Sequence, residues 1–273
     1  MKQHLLKNTY AAIVALFIAM MALPTTAQAQ TKYNLKICGT QVTSDNCGDL
    51  SVIDGVVGTV KYDPATKVLT LQEATISCDY SSVIESKIDG LTIKVIDTNF
   101  LTAEFATIGF RKPLTITGGG TLNTESENMC CIYANETNLT IENCTVTAKS
   151  IIYGIAGFNG KNENITIRNA NVTAEGTERG SIVDIATLTL EGCSITQPTG
   201  AAFDKEKHCV AFNGAMVTSK VVITTTTAID TPTADAATTT QGIYTLSGVR
   251  LSDELKQLPK GIYIVNGKKV VKQ

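Results

Sequence analysis

The chain has 273 residues, of which 43% are hydrophobic and 18% charged, and it contains no Trp. Its formal net charge is −2, which becomes −4 without the first 29 residues, because Lys2 and Lys7 lie in that segment. An acidic chain repels phosphate groups, so the composition argues against a nucleic-acid partner. It also disfavours an anionic polysaccharide, unless a cation bridges the two charges.

The first 29 residues have the pattern of a secretory signal peptide. Lys2 and Lys7 give a positive start, an apolar run follows from Ala11 to Leu23, and "AQA" ends the segment. We expect cleavage before Gln30 and a protein that is secreted or held at the cell surface. The apolar run is too short to span a membrane, so no membrane span is predicted after cleavage.

Residues 30–68 are predicted to form a β cap. "YDPATK" is typical of a hairpin turn with Pro at an early position. Within "CGTQVTSDNC", Cys38 and Cys47 can close a local loop, and we predict a disulfide between them. The opening "YNLKICGTQVTS…YDPATKVLTLQEATI" resembles the start of exported β-helix proteins of gut bacteria that are often described as carbohydrate-binding. A cap of this kind would cover an otherwise open sheet edge.

A short phrase recurs along residues 69–223. Its apolar–Thr–apolar opening begins at Leu69, Leu91, Leu114, Leu139, Ile165 and Leu188, at intervals of 22, 23, 25, 26 and 23 residues. Such a period indicates a solenoid, in which each unit buries its apolar face against its neighbours. The units are rich in Thr, Val, Ile, Asn and Gly and lack the helical return of a leucine-rich repeat. We therefore predict stacked β-strands.

Each unit breaks its alternation of apolar and polar residues once, which predicts a corner. The apolar residues Leu139 and Ile141 have odd numbers, whereas Cys144 and Val146 have even numbers. A single straight strand cannot point all four to the same side, so the chain must turn between the two pairs. The corner position holds Gly118, Asn143, Asn169 and Gly192 in four units, and Glu73 and Val95 in the first two. Gly and Asn tolerate the left-handed backbone conformation that a sharp corner requires.

This arrangement resembles right-handed parallel β-helix proteins, which carry an asparagine ladder at one corner. The resemblance implies an all-β fold, a right-handed parallel β-helix over residues 69–223. Asparagines on successive coils would then bond along the axis. The resemblance concerns architecture and implies no activity by itself.

The C-terminal region is predicted to contain a Thr-rich linker at residues 224–240 and a small β segment at 241–273. The linker reads "TTTTAIDTPTADAATTT". The segment "GIYTLSGVRL…LPKGIYIVNGKKVVK" is similar to the C-terminal sorting segment of proteins exported by the type IX route, which implies the export machinery as a partner. The alternative is a small strand pair that docks on the solenoid. The segment carries a net charge near +4 and the preceding body near −8.

The repeat also predicts which side chains stack. Cys144, Ala170 and Cys193 should point inward on successive coils, two coils separate the cysteines, and we expect buried free thiols. Glu142, Arg168 and Glu191 should form an outward ladder of opposite charges. Cys78, Cys130, Cys131 and Cys209 cannot be paired from the sequence.

Outward polar side chains beyond the corner predict two columns on a flat sheet. The pairs are Thr75/Ser77, Thr121/Asn123, Thr145/Thr147, Asn171/Thr173 and Ser194/Thr196. They are either a solvated face of good strand formers or a platform for a sugar chain. Aromatic rings for stacking on sugar are supplied by Tyr133 and Tyr153, with Tyr80 as a further candidate. The candidate carbohydrate-binding residues are Tyr133, Tyr153, Thr145, Thr147, Asn171 and Thr173.

The sequence offers little sign of catalysis. No paired carboxylates of a glycosidase are recognisable, and no Cys-x-x-Cys spacing indicates zinc. Asp89, Asp97, Glu125 and Glu127 are loop acids that could hold calcium, with Arg111 nearby in sequence. We predict no catalytic residue, no metal site and no cofactor, and leave calcium open.

The favoured hypothesis is an exported, non-catalytic protein that binds a polysaccharide or surface glycan. This hypothesis depends mainly on the family resemblance. The alternatives are a structural or adhesive surface protein without a sugar ligand, and a polysaccharide lyase or hydrolase.

Overall fold

The fold was analysed in a computed structural model, which describes residues 29–226, 242–251, 254–266 and 268–273. The predicted signal peptide lies outside the described residues except for Ala29, and so does most of the predicted linker. The N-terminal cap contains β1 (Lys32–Ile37), β2 (Thr40–Thr43), a 3-10 helix (Leu50–Val52) and β3 (Val56–Asp63).

The remaining strands follow in chain order. Those of the repeating coils are β4 (Val68–Cys78), β5 (Ile84–Ser86), β6 (Leu91–Ile96), β7 (Thr98–Ala103), β8 (Ile108–Phe110), β9 (Leu114–Thr117), β10 (Thr121–Ser126), β11 (Cys130–Ala134), β12 (Leu139–Glu142), β13 (Thr145–Ser150), β14 (Tyr153–Gly157), β15 (Asn164–Arg168), β16 (Asn171–Gly176) and β17 (Ile182–Val183). They are followed by β18 (Thr187–Glu191), β19 (Cys193–Gln197), β20 (Ala202–Asp204), β21 (Cys209–Phe212), β22 (Ala215–Met216) and β23 (Val221–Thr225). The C-terminal strands are β24 (Ile243–Thr245), β25 (Arg250–Leu251), β26 (Gly261–Val265) and β27 (Lys268–Lys272).

The strands form a parallel β-solenoid of about five turns, as predicted. The first face consists of the first half of β4 with β6, β9, β12, β15 and β18, and the second face of the second half of β4 with β7, β10, β13 and β16. The third face consists of β5, β8, β11, β14 and β17. Each middle coil therefore supplies one strand to each face.

Stacked aliphatic side chains fill the interior. On the first face Leu91, Leu114, Leu139 and Ile165 lie in register and are at most 2% exposed. Burial of each such side chain contributes about 1.5–3 kcal/mol. The predicted register is thus confirmed from the second unit onward. It is wrong for the first, because Leu69 lies opposite Ile93, two residues from the predicted partner.

The corners between the first and second faces use left-handed backbone conformations. Gly118, Asn143, Asn169 and Gly192 have φ values of 125°, 52°, 45° and 63°, as predicted. In the first two coils the corner lies at Glu73 and Asp97, with φ of 48° and 55°, so Val95 was the wrong residue. No side-chain hydrogen bond joins Asn143 to Asn169 among the described residues. Their backbone amides donate instead, to Arg168 and Glu191.

Both ends of the solenoid are closed by antiparallel strands. At the N-terminal end β1 pairs with β5 and β3 pairs with β4. At the other end β23 runs antiparallel between β16 and β19. The predicted polar columns therefore do not continue from Thr173 to Thr196, because β23 separates the two strands. Thr224 and Thr225, assigned to the linker from sequence, belong to β23.

Two smaller sheets complete the described chain. Strands β20, β21 and β22 form an antiparallel sheet whose Cys209 and Ala211 pack against the outer side of the third face, on Ala156 and Val183. The described residues from Gly242 onward belong to a separate compact unit, in which β25, β24, β26 and β27 make a four-stranded antiparallel sheet.

Candidate functional site

The outer side of the third face carries a column of side chains that differ widely in size. Glu85, Gly109, Tyr133, Ala156 and Val183 lie in register on its five strands. The small sheet covers the last two positions, which are at most 2% exposed. The first three positions remain outside this covered cluster, and they line an open groove.

The groove has a volume of about 160 Å³. It is lined by Ser82, Glu85, Ser86, Ala106, Gly109, Phe110, Arg111, Met129, Tyr133 and Asn135. A hollow of about 90 Å³ continues beyond Glu85 and is lined by Asn34, Leu35, Lys36, Gln41, Glu85 and Lys87. From β1 to β11 the two hollows span three strand spacings, about 14 Å along the solenoid. They are shallow compared with an enclosed small-molecule pocket.

Gly109 creates the space in the centre of the groove. A Cβ atom added there would meet no atom within 4 Å. Its neighbours in register, Glu85 and Tyr133, carry long side chains, so the missing side chain leaves a gap between them. Because Gly109 has an ordinary backbone φ, the strand itself does not require glycine at this position.

A second outward column forms one side of the groove. Lys87, Arg111 and Asn135 follow directly after β5, β8 and β11, two residues beyond the first column. The amide of Arg111 donates to the Ser86 carbonyl and that of Asn135 to the Phe110 carbonyl, so the strand register continues through them. The side chains of Lys87 and Arg111 are both exposed.

Tyr133 lies where the groove meets the covered part of the third face. It is half-buried and packs against the cluster that contains Cys130 and Ala156. Burial raises the pKa of its hydroxyl, and Cys130 adds to this rise, whereas Arg111 opposes it. The phenol is therefore protonated at neutral pH and can both donate and accept a hydrogen bond.

A buried carboxylate lies at the corner after the third face. Glu163 is 0% exposed, and its oxygens accept hydrogen bonds of 3.0–3.2 Å from four backbone amides, those of Glu136, Phe158, Lys161 and Asn162. Burial raises the pKa of this carboxyl, but the amides outweigh burial and hold the pKa below its usual value. These bonds join two corner loops, so the role of Glu163 is structural.

The charges of this carboxylate and of His208 both act on Asp184. Burial, followed by the Glu163 charge, raises the pKa of Asp184, while His208 opposes the rise. The His208 Nδ1 atom is buried without a hydrogen-bond partner. A side chain at Gly160 would overlap the His208 ring, because an added Cβ would lie 2.5 Å from Cγ.

The predicted carbohydrate-binding residues do not form one site. Tyr133 and Tyr153 belong to the third face, on β11 and β14, whereas Thr145, Thr147, Asn171 and Thr173 belong to the second face, on β13 and β16. Tyr153 packs into the Cys130 cluster, and its hydroxyl raises the pKa of Arg179 by a hydrogen bond. Tyr80 is 88% exposed on the loop after β4.

The second face carries the two polar columns. Thr145 stacks on Asn171 and Thr147 on Thr173, in the predicted register. Thr75 was predicted to lie in the column that contains Thr145. It lies instead in the column that contains Thr147, because the first coil is offset by two residues. Phe100 stands in that same column and is 51% exposed, a feature that was not predicted.

The predicted disulfide between Cys38 and Cys47 is wrong. Cys38 is bonded to Cys78 at the end of β4, with their Cα atoms 5.5 Å apart, and Cys47 is a free thiol. The cap folds back onto the first coil and brings these distant residues together, a contact that local spacing does not reveal. The buried free thiols predicted at Cys144 and Cys193 are confirmed.

The loop acids considered for calcium are dispersed. Glu125 pairs with Lys149 at 3.5 Å on the second face, and Asp97 accepts a hydrogen bond from Gln72 at a corner. Within the described ranges, no three His, Cys, Asp or Glu side chains are grouped to hold a metal ion. In the same residues no helix is long and apolar enough to cross a membrane.

Sequence reasoning identified Tyr133 but missed the rest of the groove, namely Glu85, Lys87, Gly109, Arg111 as a groove residue, and Asn135. A signal for the third strand does exist. Ile84, Ile108, Ile132, Ile155 and Ile182 stack in register on the third face. A search for a second repeated position in each unit would have found them and the outward residues beside them.

Comparisons with known proteins match the chain to no family model, to no curated protein and to no solved structure.

Proposed function

We propose that this protein is an exported, non-catalytic glycan-binding protein, and that the sugar chain lies in the groove on the third face. The observation that carries the proposal is the gap at Gly109 beside the Tyr133 ring. An open groove with an aromatic wall suits a sugar ring, which has apolar faces and a rim of hydroxyl groups.

Polar side chains around the gap support the same proposal. Ser82, Arg111 and Asn135 all line the groove and supply hydroxyl, guanidinium and amide groups for hydrogen bonds. Concave sites that combine an apolar surface with a few convergent polar groups are the usual form of ligand sites. The two hollows follow the solenoid axis, so an extended chain would lie across several coils.

The second face is a weaker candidate for the same function. Its Thr and Asn columns are flat, and the exposed Phe100 is their one aromatic side chain among the described strands that form the columns. A flat sheet offers a ligand fewer simultaneous contacts than a groove does. We therefore assign these columns the role of a solvated face.

The groove chemistry favours binding over catalysis. Glycoside hydrolysis uses two carboxyl groups, whereas Glu85 is the single acid among the described residues that line the main groove. A lyase needs a base beside the sugar. Burial keeps the pKa of Tyr133 above its ordinary value, so little phenolate is present at neutral pH. We expect bound oligosaccharide to be recovered intact after prolonged incubation, and release of shorter products would indicate an enzyme.

Export remains part of the proposal. The signal-like start and the tail that resembles a sorting segment both favour it. The disulfide between Cys38 and Cys78 supports it further, because such bonds persist mainly in oxidising compartments.

The test is binding of the chain from Gln30 onward to an array of neutral and charged glycans. Gly109→Val fills the gap with a residue that strands favour, and the space around Gly109 is open, so the fold should be retained. We expect wild-type protein to bind at least one glycan class and the variant to lose most of that binding. Tyr133→Ala should weaken it as well.

Thr147→Val is the matched control, since it introduces the same side chain on the second face. Thermal unfolding of each variant checks that the fold is intact. If Thr147→Val abolishes binding while Gly109→Val does not, the second face is the binding surface. If the wild type binds no glycan, the structural or adhesive alternative replaces the proposal.

A further inference from the structure

We propose that the groove selects anionic sugar chains, those that carry carboxylate or sulfate groups. This inference rests on the proposed function and specifies its ligand class. The observation behind it is a local reversal of charge. The body of the protein has a net charge near −8. The two hollows are nevertheless lined by Lys36, Lys87 and Arg111 against the single acid Glu85.

This local charge changes an expectation drawn from composition. Overall acidity disfavoured an anionic polysaccharide, but charges farther away than about 10 Å are largely screened at moderate salt. The side chains that line the groove therefore decide which ligands it attracts. With Lys36 paired to Glu85 at 3.9 Å, the remaining charge comes from Lys87 and Arg111.

Lys87 and Arg111 occupy equivalent positions on adjacent coils, about 4.8 Å apart along the sheet. Neither side chain has an acidic partner within the described residues. Like charges stacked in this way repel each other. On the first face, by contrast, Arg168 is stacked between two acids, and it bonds Glu142 at 3.0 Å and also contacts Glu191. A bound anion would relieve the repulsion that remains in the groove.

The geometry also indicates how an acidic sugar would be held. The Arg111 guanidinium can form two parallel hydrogen bonds to a carboxylate or sulfate group. Tyr133 lies on the next coil and can contact the ring that carries this group. Lys87 lies one coil away on the opposite side and can receive the acidic group of a neighbouring sugar.

The experiment compares the charged and the neutral form of the same sugar chain. Binding of the chain from Gln30 onward to oligogalacturonate and to its methyl-esterified, neutral form is measured by calorimetry. We expect the charged form to bind at least tenfold more tightly at low salt, and this advantage to shrink as salt rises. A sulfated galactan oligosaccharide tests whether a sulfate group can replace the carboxylate. Polyglutamate tests whether any polyanion binds.

Arg111→Ala should weaken oligogalacturonate binding roughly tenfold or more, and Arg111→Lys should recover only part of it. Lys112→Ala is the matched control, because it removes the same charge at an adjacent exposed residue that does not line the groove. It should change binding by less than about threefold.

The outcomes separate this inference from the proposed function. If neutral and charged forms bind equally, and Gly109→Val abolishes both, the charge preference is wrong and glycan binding stands. If neither form of oligogalacturonate binds and the sulfated galactan does not bind either, this inference fails, and the proposed function fails as well only if the glycan array also shows no binding. Equal losses for Arg111→Ala and Lys112→Ala, or binding of polyglutamate as tight as that of the sugars, would overturn the inference.

Discussion

At Gly109 the third face lacks a side chain between Glu85 and Tyr133, and this gap forms the centre of the groove. The residues around it differ in how readily the sequence revealed them. Tyr133 was identified as an aromatic residue that could contact sugar. Gly109 and Arg111 acquire their meaning only from their register, which places them beside Tyr133 on the adjacent strand. Residue type alone could not indicate that placement.

The role of the Glu163 charge can be tested through the pH dependence of the free energy of unfolding. Its pKa lies below the value of about 4.3 that it would have in the unfolded chain. Its stabilising effect is therefore present above that value and is lost as the pH falls through the folded-state pKa. Glu163→Gln replaces one acceptor oxygen with an NH₂ donor among the four amides. We expect it to lower the free energy of unfolding by about 1–3 kcal/mol at neutral pH.

The difference between wild type and Glu163→Gln should be smaller at about pH 3 than at neutral pH, because the stabilising effect of the wild-type charge is lost as the pH falls through the folded-state pKa. Urea unfolding at both pH values measures it. Glu206→Gln, on the exposed turn after β20, is the control and should have little effect at either pH. A loss of stability that stays constant with pH would contradict the role assigned to the Glu163 charge.

Among the elements, the repeated phrase revealed the first two strands of each coil and the corner between them. It did not reveal the third strand, because the phrase ends before that strand begins. Nor could it reveal β23, because antiparallel insertion between β16 and β19 depends on how the chain returns from a later loop. The offset at Leu69 arose similarly, since the corner of the second coil lies at Asp97, two residues beyond the predicted Val95, where no Gly or Asn marks it.

The disulfide between Cys38 and Cys78 joins the cap to the first coil. The bridge closes a loop over a sequence separation of 40 residues, for which chain entropy predicts about 4 kcal/mol of stabilisation. Cys78→Ser should therefore lower the free energy of unfolding by several kcal/mol, measured by denaturant titration. Cys47→Ser should have little effect. Peptide mapping without reduction offers a second check, and a Cys38–Cys47 peptide would contradict the pairing.

Truncation before strand β23 tests whether this strand stabilises the C-terminal end of the solenoid. Val221 and Ile223 are fully buried, and the strand covers the edge of β16. A chain that ends at Lys220 would expose that edge and lose at least about 3 kcal/mol from the two side chains. We expect it to melt earlier and to aggregate, whereas a chain that ends at Thr226 should resemble the wild type. Equal melting temperatures would show that β23 is dispensable.

In the whole molecule, stacking of the coils places equivalent residues of successive units next to one another, and these residues form long surfaces along the solenoid. The second face becomes a flat polar sheet, and the third face becomes a groove that ends where the small sheet begins. The sequence predicted the fold class from periodicity, because each unit repeats the same burial pattern. It did not predict which polar and aromatic side chains lie together, because Tyr133 and the Thr columns are on different faces.

The placement of a ligand on the third face can be mapped by amide chemical shifts during titration with oligogalacturonate. We expect the largest changes to cluster at Gly109, Arg111 and Tyr133 and to be absent from Thr147 and Thr173. Changes concentrated at Thr147, Thr173 and Phe100, with the groove undisturbed, would contradict it.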